Sequence, residues 1–538
     1  MSAVLLAAGC TSSASGGGGD AAAATVATSA LDQRLSVVAD AEPAASAVST
    51  SRALFDEAGV VVVAPDGDRA ATLLGSSAAV GLGVPLLLDP EGDGAGDDPV
   101  AAELDRLGAT TVLAVGGDAA PGGADLDVVT VPATAEAVAA ATGLDLAEAD
   151  PVPADGDAAA VAGLDPAAPA ALLPEDADAA EGEASGELPE VTRAEPLEDT
   201  VVLASGTPDS LAGVATARAA GARVQLTGGS TDPRGSAEAV DAVAGAGTVV
   251  ALGAGFADED GLDWKVETAA TGAQLPGGGQ VLFPQHFLVA LYGHPGTGAL
   301  GVLGEQDVAA SVQRARDTAA PYDALVDDAT VVPAFEIIAT VASEFPTEEG
   351  DYSYEAPVEE LRPWVDAAGE AGVYVVLDLQ PGRTDFVTQA ERYRELLELP
   401  HVGLALDPEW RLAPDQVHLT QIGSVDVEEV NRVVTWLADL TRQNALPQKL
   451  LVLHQFRVDM IPGRERVDLS RDELSVMVHA DGQGPQGSKQ ETWRVLHGIG
   501  PEGLAWGWKN FYDEDSPMLT PEETIAQVSP RPELVTYQ

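Results

Sequence analysis

The sequence predicts an α/β protein, with an N-terminal parallel-sheet α/β repeat region followed by a C-terminal (β/α)-barrel-like domain. Short apolar runs alternate with segments of helical period along most of the chain. One order of strands and helices occurs twice in the first half. All 7 Trp, all 8 Tyr and all 7 His lie at or after Trp264, so two chemically different halves meet near that residue.

The first residues of the chain resemble a bacterial lipoprotein signal. Cys10, the single cysteine, follows the apolar stretch 4–9 and precedes a run rich in Ser, Thr and Gly. This arrangement resembles the lipobox, whose cysteine is lipidated and becomes the mature N-terminus. We therefore expect residues 1–10 to be a truncated lipoprotein signal with palmitate on Cys10, and residues 11–50 to be a flexible tether.

Residues 51–144 are predicted to form the first α/β copy. Its β-branched and leucine-rich runs are typical of strands buried in a parallel sheet. The predicted strands are 60–64, 84–88 and 111–115, and the predicted helices are 69–80 and 100–107.

Residues 200–275 are predicted to form the second copy. The predicted strands are 201–204, 223–226 and 248–252, and the predicted helices are 210–220 and 236–244. Between the copies, residues 145–199 consist mainly of Ala, Asp, Glu and Pro, which predicts a partly disordered acidic insert.

The two copies resemble the cell-wall-binding repeat 2 family of actinobacterial lipoproteins. In the first copy the resemblance is carried by 85–88 (PLLL), 106–112 (RLGATTV) and 115–117 (VGG). The family's Tyr-Ala-Asp-Ala-Leu around the first helix is replaced here by 67–71 (GDRAA). The resemblance implies a partner, cell-wall polysaccharide or peptidoglycan, and a location on the extracellular face of the membrane, held there by the lipid anchor.

Residues 276–538 are predicted to form the barrel-like domain, because about seven β/α units follow one another. The predicted strands are 287–292, 331–340, 373–379, 402–406, 450–456, 474–479 and 504–508. The predicted helices are 307–317, 358–370, 385–399, 427–443 and 489–497. A doubly wound open sheet is the alternative architecture.

Polar side chains recur at the ends of the predicted barrel strands, where barrel enzymes carry their working residues. They are His294, Glu336, Asp378, Asp407, Glu409, His454, Gln455, Asp481 and Lys509. A single residue of this kind is often a helix cap, but repetition around one rim favours a pocket. We expect Glu336, Asp378, His454, Gln455, Asp481 and Lys509 to bind substrate.

Aromatic rings near the rim suit sugar faces, so Trp506 and Trp508 are predicted to bind substrate, with a core role as the alternative. Trp410, Phe511 and Tyr512 also lie at or beyond strand ends.

Asp407 and Glu409 form the most specific chemical pattern. If the strand continues through Glu409, both carboxyl groups face the same mouth. Hydrolysis of a glycosidic bond needs one carboxyl that donates a proton and a second group that stabilises positive charge on the sugar. The D-x-E resembles family 18 chitinases and family 25 muramidases, which implies that Glu409 is the acid and that Asp407 orients an acetamido group or shares the charge. The alternative is that Asp407 caps a helix beginning at Pro408.

The composition and the missing motifs exclude several classes of function. The net charge of −59 repels nucleic acid. His454, His479, Asp481 and Glu336 are suitable ligand types, but the chain has no HxH or HExxH, so no metal and no cofactor is predicted. The sequence thus predicts an envelope lipoprotein whose barrel is a retaining glycoside hydrolase of envelope polysaccharide. The alternatives are a non-catalytic wall-binding lipoprotein and a solute-capture lipoprotein of a transporter.

Overall fold

The computed structural model describes residues 23–90, 98–117, 126–177, 182–348 and 350–538. The chain divides into two compact units. The first contains the described residues up to Leu226 together with Val250–Ala254, and the second contains Thr227–Val249 and Gly255–Gln538.

The first unit is built on two four-stranded sheets. Its strands are β1 (Ala24–Thr28), β2 (Leu35–Val38), β3 (Phe55–Ala58), β4 (Val60–Pro65), β5 (Leu86–Asp89), β6 (Thr111–Val115), β7 (Asp127–Val131), β8 (Ala147–Glu148), β9 (Ala170–Ala171), β10 (Val191–Thr192), β11 (Thr200–Ala204), β12 (Arg223–Leu226) and β13 (Thr248–Leu252). Its helices are α1 (Pro43–Leu54), α2 (Arg69–Leu82), α3 (Pro99–Leu107), α4 (Ala135–Thr142), α5 (Asp157–Ala162) and α6 (Leu211–Ala219). The sheet orders are β5-β4-β6-β7 and β12-β11-β13-β2.

The first of these sheets is parallel throughout, as the valine and leucine runs predict. Val60, Val61, Val62 and Val63 in β4 are completely buried, which is why the strand shows no polar alternation. Helix α2 is capped at its N-terminus by Asp68, whose carboxyl accepts a hydrogen bond from Ala71 N at 3.0 Å, and at its C-terminus by Gly83 in the left-handed conformation.

Ordered elements begin earlier than the sequence indicates. Strands β1 and β2 and most of helix α1 lie within the segment predicted to be a tether, and Ala47 and Val48 of α1 are buried in the core. The physical reason is that the small side chains of α1 pack closely against α6, so the composition that suggested flexibility serves helix packing instead. Cys10 and the glycine run lie outside the described residues.

The acidic insert also contains regular structure within residues 145–177 and 182–199. Helix α5 and the short strands β8, β9 and β10 lie there. Val161 and Leu164 are buried in the core of the first unit, and Arg69 forms an ion pair with Asp157 at 2.7 Å. A few apolar side chains and the ion pairs of Arg69 with Asp157 and Asp176 therefore fix a segment whose composition alone predicts partial disorder.

The second unit contains α7 (Ala237–Ala244), α8 (Leu262–Ala269), α9 (Val308–Ala319), α10 (Val358–Glu370), α11 (Phe386–Arg392), α12 (Arg394–Leu397), α13 (Val427–Gln443), α14 (Gln486–His497) and α15 (Pro521–Gln527). Its strands are β14 (His286–Gly293), β15 (Thr330–Ala342), β16 (Ser353–Glu355), β17 (Tyr374–Leu379), β18 (Val402–Leu406), β19 (Lys449–Gln455), β20 (Leu474–Ala480), β21 (Ala505–Asn510) and β22 (Leu534–Tyr537).

Eight parallel strands of the second unit close into a barrel. The order is β14-β22-β21-β20-β19-β18-β17-β15, and β14 also pairs with β15, so the sheet has no open edge. Strand β16 pairs antiparallel with the end of β15. The open-sheet alternative is therefore wrong. The seven predicted strands are present, and the sequence reading missed the short closing strand β22.

Alternate residues of the barrel strands have different surroundings. One set, including Val289, Leu377 and Leu453, belongs to a large apolar cluster shared with the helices. The other set, including Ala290, Val376 and Val452, forms a separate apolar cluster that the strands share inside the barrel. Period-two alternation thus divides each strand between an outer face and the barrel interior. Within the described residues, no helix has the length and apolarity required to cross a membrane.

Candidate active site

Each barrel strand turns one polar side chain into the interior near its carboxyl end. Residues closer to the amino ends fill the interior with apolar side chains, and on seven strands the next inward position is polar, with Asp407 just past the end of β18. On β21 Gly507 takes that position, and Lys509 is the inward residue after it. These positions are Tyr292, Glu336, Asp378, Asp407, His454, His479, Lys509 and Thr536, and all are buried. Since the strands are parallel, the eight side chains share one end of the barrel.

A cavity of about 610 Å³ opens above this polar layer. Its wall includes Tyr292, Asp407, Glu409, Asp481 and Lys509, which come from the carboxyl ends of several strands. Trp410, Phe456 and Phe511 contribute aromatic surface to the same wall. The cavity therefore combines carboxyl groups with flat apolar surface, as a sugar-binding site requires.

Asp407 and Glu409 reach the cavity by a turn rather than by a continued strand. Strand β18 ends at Leu406, and Pro408–Trp410 form one turn of 3-10 helix. The Asp407 carboxyl caps this turn by accepting a hydrogen bond from Glu409 N at 3.2 Å. The capping interpretation is correct for the backbone, yet both side chains still line one cavity.

Three of the carboxyl groups have raised pKa values. Burial, helped by the charge of Asp481, raises the pKa of Glu409 to about 7. Burial and the charge of Asp378 raise the pKa of Asp407 well above its ordinary value. Burial also raises the pKa of Asp378 to about 6. These groups therefore retain protons at pH values where exposed carboxyl groups are ionised, as a general acid must.

A second set of charged side chains forms a connected chain across the barrel. His454 Nε2 lies 2.7 Å from Glu336 Oε1, and His454 Nδ1 lies 3.1 Å from Asp481 Oδ2. Lys509 Nζ lies 3.0 Å from Asp481 Oδ1, and the Thr536 hydroxyl donates to Glu336 Oε2 at 3.1 Å. Burial alone would raise the pKa of Glu336, but the neighbouring His454 lowers it to about 2. This end of the barrel thus holds carboxyl groups with raised pKa values, such as Glu409, beside a carboxyl group with a lowered pKa, Glu336.

Of the predicted substrate-binding residues, Asp481 and Lys509 line the cavity, Glu336, Asp378 and His454 belong to the buried polar layer, and three others face away from the barrel interior. Trp508 is buried in the outer core, and its indole donates to Asn510 Oδ1 at 2.8 Å. Trp506 stacks on His497, with ring centroids 3.5 Å apart. The Gln455 side chain accepts a hydrogen bond from Arg464 at 2.6 Å. Strand alternation explains all three positions, because inward positions are taken by Ala505 beside Trp506, by Lys509 beside Trp508 and by His454 beside Gln455.

The structure adds three residues to the polar layer. Tyr292 donates its hydroxyl to Asp378 Oδ2 at 2.8 Å, and its ring lies 3.6 Å from the Lys509 ammonium. His479 precedes Asp481 by two residues and shares its face, a spacing that was visible in the sequence. Thr536 lies on strand β22, which the sequence analysis did not predict.

His294 was predicted at a strand end. It lies one residue beyond β14, and its Nδ1 accepts a hydrogen bond from Gly296 N at 2.9 Å.

Comparison with known proteins identifies no family. No family model matches the chain, and no curated protein matches it. Among solved structures, Cwp8 from Clostridium difficile is 16% identical with a TM-score of 0.31, covering 45% of this chain and 53% of that chain. Cwp6 from Clostridium difficile is 13% identical with a TM-score of 0.33, covering 64% of this chain and 62% of that chain. The chain thus spans less than two thirds of either structure, and TM-scores this low do not establish a shared fold.

Proposed function

We propose that the barrel mouth is the active site of a glycoside hydrolase that acts on envelope polysaccharide. The observation that carries the proposal is the entry of Asp407 and Glu409 into one cavity at the carboxyl ends of a closed parallel barrel. Glu409 is the proton donor to the leaving oxygen, because its carboxyl lines the cavity and burial raises its pKa to about 7.

Asp407 supports the reaction as a neutral group. Asp407 is 4% exposed and the pKa of its carboxyl lies well above the ordinary value, so it holds a proton that can be donated to a substrate oxygen. Of the two roles implied by the resemblance, orienting an acetamido group therefore fits better than sharing positive charge. Trp410 and Phe456 supply the apolar surface against which a sugar ring packs.

The remaining parts of the proposal rest on the sequence. The first unit binds the cell wall by its resemblance to the cell-wall-binding repeat 2 family, and Cys10 anchors the protein to the extracellular face of the membrane. The alternation of strands with helices in the second unit further favours a (β/α) barrel.

The test is Glu409→Gln in the full chain, assayed for release of reducing sugar from purified cell walls. Removing a general acid should lower the rate by at least about 100-fold. The exposed Glu502→Gln is the control and should retain wild-type activity. Pull-down with insoluble walls should be unchanged in both variants, because neither change touches the first unit.

Two outcomes would overturn the proposal. If the wild-type chain binds walls and releases no reducing sugar, the protein is a non-catalytic wall-binding protein. If Glu409→Gln hydrolyses walls at the wild-type rate, the reaction does not use this carboxyl. A small solute retained by the purified chain, with no wall binding, would instead support the solute-capture alternative.

A further inference from the structure

Two histidines and one carboxylate converge inside the barrel beside the cavity. His454 on β19 and His479 on β20 are register partners, and Asp481 follows β20 by one residue. One ligand atom from each of the three lies within 4.8 Å of the others. Two imidazoles and a carboxylate are a ligand set suited to zinc and similar divalent ions.

His479 is a buried side chain whose polar atoms are unused. Its ring is completely buried, and neither nitrogen has a hydrogen-bond partner among the residues that the structure describes. A buried polar group that is left unpaired destabilises the folded protein. Gly507 makes room for the ring, since a Cβ at that position would lie 2.2 Å from His479 Cδ2. The barrel therefore accommodates an imidazole whose nitrogens have no hydrogen-bond partner among the described residues, which is expected if their partner is a ligand.

The other two side chains are held in orientations that suit metal ligands. The contact of His454 Nε2 with Glu336 Oε1, 2.7 Å, directs the opposite nitrogen, Nδ1, towards Asp481. A carboxylate behind a histidine is the usual second contact of a metal-bound imidazole. Lys509 holds Asp481 Oδ1, so Oδ2 is the oxygen that faces His454.

We propose that His454, His479 and Asp481 bind one divalent transition-metal ion, of the chemical class of zinc. Asp481 lines the cavity, so the open side of the ion faces the substrate space. Such an ion supplies a template that orients substrate hydroxyl groups. The metal site is independent of the proposed hydrolase activity, because binding of the ion can be measured in the absence of any polysaccharide substrate.

The experiment measures binding of zinc or cobalt chloride to the full chain after treatment with a chelator. A Cys10→Ser background removes the only thiol. We expect one zinc ion per chain by calorimetry and visible absorption bands from bound cobalt. His479→Ala should weaken binding by more than about 10-fold, since it removes one of three ligands. His497→Ala, at a histidine stacked on Trp506 outside the barrel, should bind as the wild type does.

Glu336→Gln is the second variant, because it keeps the side-chain volume while it alters the contact behind His454 and the acceptor of the Thr536 hydroxyl. It should weaken zinc binding by about 10–100-fold. Absence of stoichiometric binding in the wild-type chain would overturn the proposal, whatever the variants do. Unchanged affinity in folded His479→Ala, checked by circular dichroism, would also overturn it. Metal binding without wall hydrolysis would reject only the proposed hydrolase.

Discussion

At Gly507 the absence of a side chain decides what the barrel interior can hold. The ring of His479 occupies the space that a Cβ at this position would need, with Cδ2 at 2.2 Å and Cγ at 3.1 Å. An imidazole in a packed barrel cannot move aside without disturbing Met477, whose sulfur lies 3.1 Å from the same point. The glycine is therefore required by packing and not by backbone conformation.

Gly507→Ala should lower the free energy of unfolding of the barrel unit by about 1–3 kcal/mol, the usual cost of overpacking. Gly487→Ala is the matched control, because it lies in α14 with nothing within 4 Å of the added Cβ. That change should be neutral or stabilising. Denaturant unfolding followed by tryptophan fluorescence measures both, since all 7 Trp lie in the second unit. Equal stability of the two variants would contradict the packing argument.

Single residues also show where the sequence was sufficient and where it was not. Asp407, Glu409, Asp481 and Lys509 were predicted at the mouth, because polar residues at strand ends are visible in the sequence. Trp508 was predicted beside Lys509, although neighbours on a strand face opposite sides. The alternation was visible, but which of its two faces points inward depends on how the sheet closes.

At the scale of elements, the link from α15 to β22 completes the barrel. Strand β22 pairs with β14 on one side and β21 on the other. Helix α15 precedes it and begins with a capping box, in which Thr520 and Glu523 bond each other's backbone N–H at 3.2 and 3.0 Å. Fraying of this seven-residue helix would therefore weaken the pairing of β22, the strand that closes the barrel between β14 and β21.

Thr520→Ala should lower the free energy of unfolding of the barrel unit by about 1 kcal/mol, the typical cost of a lost N-cap. Thr435→Ala on the exposed surface of α13 is the control and should stay within about 0.5 kcal/mol of the wild type. Tryptophan fluorescence during urea unfolding measures the difference. A loss at Thr435 as large as that at Thr520 would show that the capping box contributes nothing specific.

Element prediction succeeded where the local pattern was long and failed where it was short. Helices α10 and α13 have the bounds that their periodicity predicts. Strand β22 has four residues in a proline-containing tail, too few to show alternation, and it exists because two neighbouring strands pair with it. The same limit applies to β1 and β2, which are stabilised by pairing with distant strands.

For the whole molecule, the dominant global property is its charge. The formal net charge is −59, so unscreened repulsion among acidic groups acts against the compact state. Dissolved salt reduces this repulsion over distances beyond a Debye length, which is about 10 Å at 0.1 M.

The melting temperature should therefore rise as sodium chloride is increased from about 20 to 300 mM, the range in which screening changes most. Sorbitol at equal osmolarity is the control, because it does not screen charge, and it should produce a smaller rise. Scanning calorimetry gives the melting temperatures. A melting temperature that is independent of salt, or that falls with salt, would show that the acidic groups are already compensated within the fold.

The sequence by itself determined the α/β class, the acidic composition and the polar ends of the barrel strands, because these depend on local composition and periodicity. Only the tertiary structure decided that the sheet closes, and hence that His454, His479 and Asp481 meet while Trp506 and Trp508 turn outward. Closure depends on pairing between strands far apart in the chain, β14 with β22, and no local pattern encodes that contact.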